Sequence, residues 1–95
     1  MSAYIVFTRE RMRDKAEFDV YSGKVGATFA GHKPAVRAAY GKNETLEGAP
    51  IDGAVIVEFP TMADAKAWYE SPAYAEAREH RFKGADYRVF ITDGV

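Results

Sequence analysis

A single carboxylate interrupts the most apolar part of the chain. Glu58 follows the four apolar residues from Ala54 to Val57, and a charge buried there without a partner would be costly. Glu58 could therefore serve as a general base whose pKa is raised by burial. The alternative is a carboxylate at a strand end that pairs with Arg37 or reaches solvent. The alternative is favoured, because carboxylates are seldom fully buried unless they are paired.

Two histidines and two adjacent aromatic residues are the next candidates. His32 follows a predicted helix end and could shuttle protons or supply one metal ligand, whereas His80 lies among charges near another helix end. Neither has the spacing of a metal site, and the chain has no cysteine, so we expect no metal and no cofactor. Trp68 and Tyr69 point about 100° apart on a helix. One could face the core and the other a cavity, where the Tyr69 hydroxyl could bind a ligand or donate a proton, although core packing is the commoner role.

Three other charged residues could contact a ligand. Glu47 lies in a predicted loop, where no local structural role explains an acidic residue. Arg78 and Arg81 lie one helical turn apart and could clamp a carboxylate or a phosphate. Glu76 and Glu79 interleave with the two arginines, so a solvated face crossed by salt bridges is the favoured interpretation.

A strand and a broken helix must position most of these side chains. The apolar, β-branched residues from Ala54 to Val57 predict a strand that is covered on both faces, and Pro60 should end its pairing. Thr61 and Ser71 each precede a helical pattern and can cap it, with Pro72 in the favourable first position of the second helix. The second helix is expected to run to Gly84.

Three more strands and a longer helix complete the predicted order. The strands cover Tyr4 to Thr8, Ala35 to Tyr40 and Asp86 to Thr92, and the helix extends from a capping box at Asp14 to a stop at Gly31. A short stretch from Glu44 to Glu47 could also be extended. The order β-α-β-β-α-β predicts an α+β, ferredoxin-like sandwich with a four-stranded antiparallel sheet. Right-handed crossovers place both helical segments on one face, and the third strand then lies beside the second, which makes Arg37 a possible neighbour of Glu58.

Composition narrows the class of protein. Ninety-five residues with 47% hydrophobic and 14% aromatic side chains allow a single domain over residues 1–95 with a packed core. The net charge is −1 with no basic stripe, which disfavours nucleic-acid binding. The absence of cysteine excludes a disulfide framework. Neither a signal peptide nor a stretch of membrane-spanning length is recognisable, so we expect a cytoplasmic protein without membrane contact.

The sheet has a second apolar face that the helices cannot cover. Both alternating sets of side chains are apolar in two strands: Tyr4 and Val6 against Ala3, Ile5 and Phe7 in the first, and Ala54 and Ile56 against Val55, Val57 and Phe59 in the third. Four such strands would expose more than the roughly 400 Å² of contiguous apolar surface that suits a soluble monomer. A second copy is the simplest cover, so we predict a homodimer that joins through its sheet faces and buries on the order of 1,600 Å².

The central segment also resembles a known family. Residues 58–65 and 67–74 are similar to the signature of the bacterial family catalogued as domain of unknown function 1330, and the segments 3–6, 46–48 and 93–95 resemble it too. The resemblance implies a protomer of the dimeric α/β-barrel superfamily, whose relatives include antibiotic-biosynthesis monooxygenases, muconolactone isomerases and haem enzymes of the chlorite dismutase type. Haem bound through one histidine is conceivable by that analogy alone. The family commonly has Arg-Gly-Gly in its second strand, whereas this chain has Arg37-Ala38-Ala39-Tyr40, so a pocket shaped by that strand would differ here.

Two functions are compatible with these observations. The first is a small-molecule binding protein with its pocket between sheet and helices, which could be a cofactor-free enzyme of the oxygenase or isomerase type. The side chains expected to line that pocket are His32, Arg37, Glu47, Glu58 and Tyr69. The second is a non-enzymatic interaction or stress-related dimer without a ligand pocket. A cavity of about 300 Å³ or more with these polar groups converging on it would favour the first function.

Overall fold

The chain folds into four strands and three α-helices, and the computed structural model describes residues 1–95. In chain order the elements are β1 Ala3–Met12, α1 Lys15–Val25, β2 Ala35–Ala39, β3 Gly53–Phe59, α2 Met62–Tyr69, α3 Pro72–Gly84 and β4 Ala85–Asp93. The strands form one antiparallel sheet in the order β2-β3-β1-β4. The α+β, ferredoxin-like architecture expected from the sequence is therefore confirmed.

The helix starts follow local capping chemistry. The side chain of Asp14 accepts a hydrogen bond from the N–H of Glu17 before α1. Thr61 and Ser71 cap α2 and α3 in the same way. Each cap satisfies one of the N–H groups that a helix leaves free at its start, so these boundaries were predictable. No helix of the fold has both the length and the apolar character needed to cross a membrane.

Three segments differ from the sequence-based expectation. The first helix ends at Val25 rather than near Gly31, and a 3₁₀ turn over Gly26–Phe29 follows it. The hydroxyl of Thr28 donates to the carbonyl oxygen of Val25 at 2.6 Å, which gives that carbonyl a partner other than the next α-helical turn. Residues 44–47 are not a strand. The first strand extends beyond the predicted end at Thr8, because β1 continues to Met12 with an irregularity between Arg9 and Arg11.

The core lies between the helices and one face of the sheet. Ala3, Ile5 and Phe7 are buried, whereas Tyr4 and Val6 between them are half-buried. This alternation follows from the period of two along a strand. The core-facing side chains of β1 join those of β3 and of all three helices in a single hydrophobic cluster. The other sheet face carries no helix, as the sequence predicted.

A close approach between α3 and α1 generates the first prediction. A Cβ on Gly84 would lie 2.7 Å from the backbone nitrogen of Phe18, whereas a Cβ on Gly23 within α1 would meet nothing within 4 Å. We expect Gly84→Ala to destabilise the fold by roughly 1–3 kcal/mol through overpacking. Gly23→Ala should stabilise it by about 0.5–1 kcal/mol, because alanine is the better helix former. Urea denaturation followed by circular dichroism measures both, and equal shifts for the two variants would contradict the packing of α3 on α1.

Candidate functional site

A cavity of about 310 Å³ lies between the sheet and the helical layer. Ten of its eleven lining residues are hydrophobic, so the space suits an apolar body rather than a cluster of water. The strands β1, β2 and β3, the helices α1 and α2, and the 3₁₀ turn all contribute to its wall. The lining residues are Phe7, Tyr21, Ser22, Val25, Phe29, Val36, Ala39, Tyr40, Val55, Val57 and Trp68.

Trp68 fixes one wall of this cavity. Its indole Nε1–H donates to Oγ1 of Thr28 at 3.0 Å, which satisfies the one polar group of a side chain that is only 1% exposed. The indole stacks on Phe29 with ring centroids 4.8 Å apart and on Phe59 at 5.6 Å. It therefore ties α2 to the 3₁₀ turn and to β3, and the wall is held rigidly before any ligand binds.

Tyr40 forms the opposite end of the wall in a strained conformation. Its φ angle is +58°, in a region that non-glycine residues avoid at a cost of roughly 1–3 kcal/mol. The backbone N–H of Tyr40 donates to the carbonyl of Ala54 at 2.8 Å. Its ring leaves no room for a side chain at position 53, because a Cβ on Gly53 would lie 2.8 Å from Cδ1 of Tyr40. Strain that the surrounding structure maintains at a cavity wall is typical of functional sites.

Tyr21 and Tyr40, which line the cavity, each belong to a pair of tyrosine hydroxyls. The hydroxyl oxygens of Tyr21 and Tyr74 are 2.9 Å apart and buried, and those of Tyr40 and Tyr87 are also hydrogen-bonded. Burial is the largest influence on all four groups, and it raises the pKa of each hydroxyl above its ordinary value of 10.0. The hydroxyls therefore remain protonated at neutral pH and act as hydrogen-bond donors.

Arg81 lies next to these hydroxyls in the protein interior. The residue is only 2% exposed, and its guanidinium carbon lies 4.9 Å from the ring centroid of Tyr87 and 5.7 Å from that of Phe7. One guanidinium nitrogen donates to the hydroxyl of Tyr69 at 3.4 Å. The solvated, salt-bridged face favoured by the sequence is wrong for Arg81. The spacing of Tyr74, Ala77, Arg81 and Gly84 shows why, since these four are the buried face of α3.

Arg37 and Glu58 pair with each other on the face of the sheet that carries no helix. Nε of Arg37 donates to Oε1 of Glu58 at 2.8 Å, because β2 and β3 are neighbours in the sheet. Hydrogen bonding from Ser2 and then from Arg37 holds the pKa of Glu58 below its ordinary value of 4.5. The structure thus supports the paired strand-end carboxylate rather than a base with a raised pKa.

The other three expected site residues lie apart from one another. The backbone N–H of His32 donates to the carbonyl of Phe29 in the turn after the 3₁₀ segment. Glu47 is exposed in the loop beside a groove on the uncovered sheet face, and Tyr69 points its hydroxyl towards Arg81. None of the five expected residues lines the cavity. Their role in ligand binding stays a prediction, and no group of three or more histidine and carboxylate side chains is placed to hold a metal ion.

The tyrosines and Arg81 were not predicted as a group. The aromatic side chains of Tyr21, Tyr40, Tyr74 and Tyr87 are expected from the sequence to pack in the core, and they do pack there. The number of tyrosines could have indicated this cluster. Four tyrosines on core-facing positions bring four hydroxyls that each need a hydrogen-bond partner, and a core built only for packing does not require so many polar groups.

Comparisons with known proteins agree with the resemblance seen in the sequence. The model of the family described as Domain of unknown function (DUF1330) matches residues 2–95, and no functionally curated protein matches the chain. A protein of unknown function from Rhodopseudomonas palustris, RPA0582, has 19% identity and a TM-score of 0.79, with 99% of this chain and 82% of that chain covered.

Two other solved structures extend the comparison. A dimeric protein of unknown function and ferredoxin-like fold from Bacteroides fragilis NCTC 9343 has 16% identity and a TM-score of 0.62, covering 98% and 96% of the two chains. The hydroxynitrile lyase from Passiflora edulis has 16% identity and a TM-score of 0.68, covering 99% and 93%. At these identities the similarity establishes the shared fold.

The Arg37–Glu58 pair generates a pH-dependent prediction. Because the pKa of Glu58 is lower in the folded than in the unfolded chain, the stabilisation is fully present above about pH 4.5 and is lost as the pH falls through the folded-state pKa. We expect Glu58→Gln to be less stable than the parent at pH 7, with the difference shrinking towards pH 3. Glu79→Gln, which removes an exposed carboxylate from α3, is the control. Urea midpoints between pH 3 and 7 measure the effect, and parallel curves for parent and Glu58→Gln would contradict it.

Proposed function

The chain belongs to the family described as Domain of unknown function (DUF1330), and we propose that this member is a homodimer that binds a small, largely apolar molecule between its sheet and its helices. The observation that carries the proposal is the cavity of about 310 Å³. Its size lies within the range of small-molecule sites, and an apolar lining with few polar groups is the usual composition of such sites. An aromatic ring suits walls built from Phe7, Phe29 and Trp68.

The uncovered face of the sheet supports the homodimer. Phe90 on β4 is 53% exposed, and Val6, Ile56 and Tyr4 on the same face are only partly shielded within one protomer. Apolar residues on adjacent strands form a continuous patch, which marks an interaction surface. The dimeric protein from Bacteroides fragilis shares the fold. We infer that two copies join through this face about a two-fold axis.

An enzymatic role draws support from the tyrosine hydroxyls. A hydroxyl held protonated by burial can donate a hydrogen bond to an oxygen atom on which negative charge develops. Such a site suits a cofactor-free reaction of the oxygenase or isomerase type, and the Passiflora edulis lyase shares the fold with this chain. The non-enzymatic dimer is the second candidate, and it is favoured by the position of the five expected polar residues outside the cavity wall. Cytoplasmic location stays a prediction.

Blocking the cavity tests the binding proposal. Trp68 is the single tryptophan of the chain and lines the cavity, so its fluorescence reports on occupancy. We expect benzamide, a neutral aromatic probe, to change this fluorescence in a saturable manner. Ala39→Phe places a ring in the cavity and should weaken binding at least about tenfold, since the space for the probe is lost.

The control for this experiment is Ala67→Phe on the exposed side of α2, which should bind benzamide as the parent does. Equal weakening by both variants, or the absence of saturable binding to the parent, would contradict the proposed cavity. The same titration with Glu58→Gln and His32→Ala tests the sequence-based assignment of those residues. Unchanged binding in both variants would contradict that assignment.

A charge on the uncovered face tests the homodimer. We expect Ile56→Asp to convert the dimer into a monomer, because a carboxylate in an apolar interface without a partner is costly to desolvate. Val20→Asp, on the exposed side of α1 where Val20 is 40% exposed, should remain dimeric. Size-exclusion chromatography with light scattering at micromolar concentration measures the mass of each. A monomeric parent, or a dimeric Ile56→Asp, would overturn the proposed interface.

A further inference from the structure

The charge of Arg81 has no counter-charge within the protein. None of the ion pairs of the fold includes Arg81. The residue is nevertheless buried, with only 2% of its surface exposed to solvent. Its Nε has no hydrogen-bond partner, as is also true of Arg9 and Arg78, and its hydrogen bond to Tyr69 is long at 3.4 Å. Arg9 differs in its charge pairing, because its guanidinium is bonded to the carboxylate of Asp52 at 3.2 Å.

The polar groups around Arg81 are neutral. An arginine side chain only donates hydrogen bonds, and the hydroxyls of the pairs Tyr21–Tyr74 and Tyr40–Tyr87 can accept from it but carry no negative charge. The donor cluster of Arg81 and these four tyrosines therefore keeps a net positive charge. That charge favours an anionic partner.

This donor cluster adjoins the cavity. Tyr21 and Tyr40 supply one member of each hydroxyl pair and also line the cavity. Phe7, over which the guanidinium of Arg81 lies, lines it as well. The positive charge also acts on one of the hydroxyls. Burial raises the pKa of Tyr74, and the nearby charge of Arg81 lowers it by a smaller amount. The apolar cavity is thus bordered by two tyrosines whose hydroxyls are paired, with the positive charge of Arg81 behind Phe7.

We propose that the molecule bound in the cavity carries an anionic oxygen, a carboxylate or a phenolate on a small aromatic body, which the tyrosine hydroxyls and Arg81 bind. This inference rests on the proposed function and adds the substrate class to it. The aromatic walls hold the ring, while the donor cluster replaces the water that the anion loses on entry. The hydrogen bond from Arg81 to Tyr69 is long, and Nε of Arg81 has no partner. Both of these guanidinium nitrogens are therefore free to bind the anion when it enters the cavity.

The test compares two probes of the same shape, benzoate and benzamide, by the fluorescence of Trp68 at pH 7. In the parent protein we expect benzoate to bind at least about tenfold more tightly, the size of one charge-assisted hydrogen bond. Arg81→Met should abolish this preference, so that benzoate binds no more tightly than benzamide in that variant. Lys83→Met is the control. It removes an exposed positive charge from the same helix and should keep the preference.

The outcomes separate this inference from the proposed function. Saturable benzamide binding without a preference for benzoate in the parent overturns the inference alone. A preference that survives in folded Arg81→Met overturns the role of Arg81. Failure of both probes to bind the parent overturns the proposed function and the inference together.

If circular dichroism shows that Arg81→Met does not fold, Tyr40→Phe takes its place, since it removes one donor without removing charge. A loss of at least about threefold in the preference for benzoate, the lower limit for one neutral hydrogen bond, then supports the inference. A preference equal to that of the parent overturns it.

Discussion

The contact between Trp68 and Thr28 holds the helical layer in place on the sheet. The indole needs an acceptor when it is buried, and the only way to supply it from Thr28 is to bring the chain after α1 over the tryptophan. That requirement coincides with the end of α1 at Val25 and with the tight 3₁₀ turn that follows. The cavity lies beside this contact, bounded by the same 3₁₀ turn, by Trp68 and by the edge of the sheet. The hydrogen bond and the aromatic stack around it therefore connect α2 to the 3₁₀ turn and form one wall of the cavity.

The second organising constraint is that the helices cover one face of a sheet whose two faces are both apolar. Phe7 and Val57 face the cavity and the core, whereas Val6 and Ile56, one residue away, face outwards. A single strand thus serves two interfaces at once, since successive side chains point to opposite faces. A substitution in β1 or β3 therefore acts either on the proposed ligand site or on the proposed dimer, according to whether its position is odd or even along the strand.

The end of the second strand shapes one side of the cavity. Ala39 is the last residue of β2 and Tyr40 follows it, and both line the cavity. Tyr40 adopts a positive φ, a conformation that glycine adopts without cost, and its ring is accommodated because residue 53 is glycine. The side chain thus adds a wall and a hydroxyl where a glycine would leave open space.

The sequence alone determined the features that arise from neighbouring residues. Capping by Thr61 and Ser71, the stop at Pro60 and the alternation along β1 depend on contacts within a few positions, so their pattern is readable in the chain. Even the Arg37–Glu58 pair followed from the strand order. The tertiary structure decided the rest, because it depends on residues far apart in sequence. Tyr21 meets Tyr74 and Tyr40 meets Tyr87 only once α1, α3 and β4 are packed. The burial of Arg81 depends on which side of α3 packs against the sheet. The sequence does not reveal that side, because acidic and basic residues alternate along the helix.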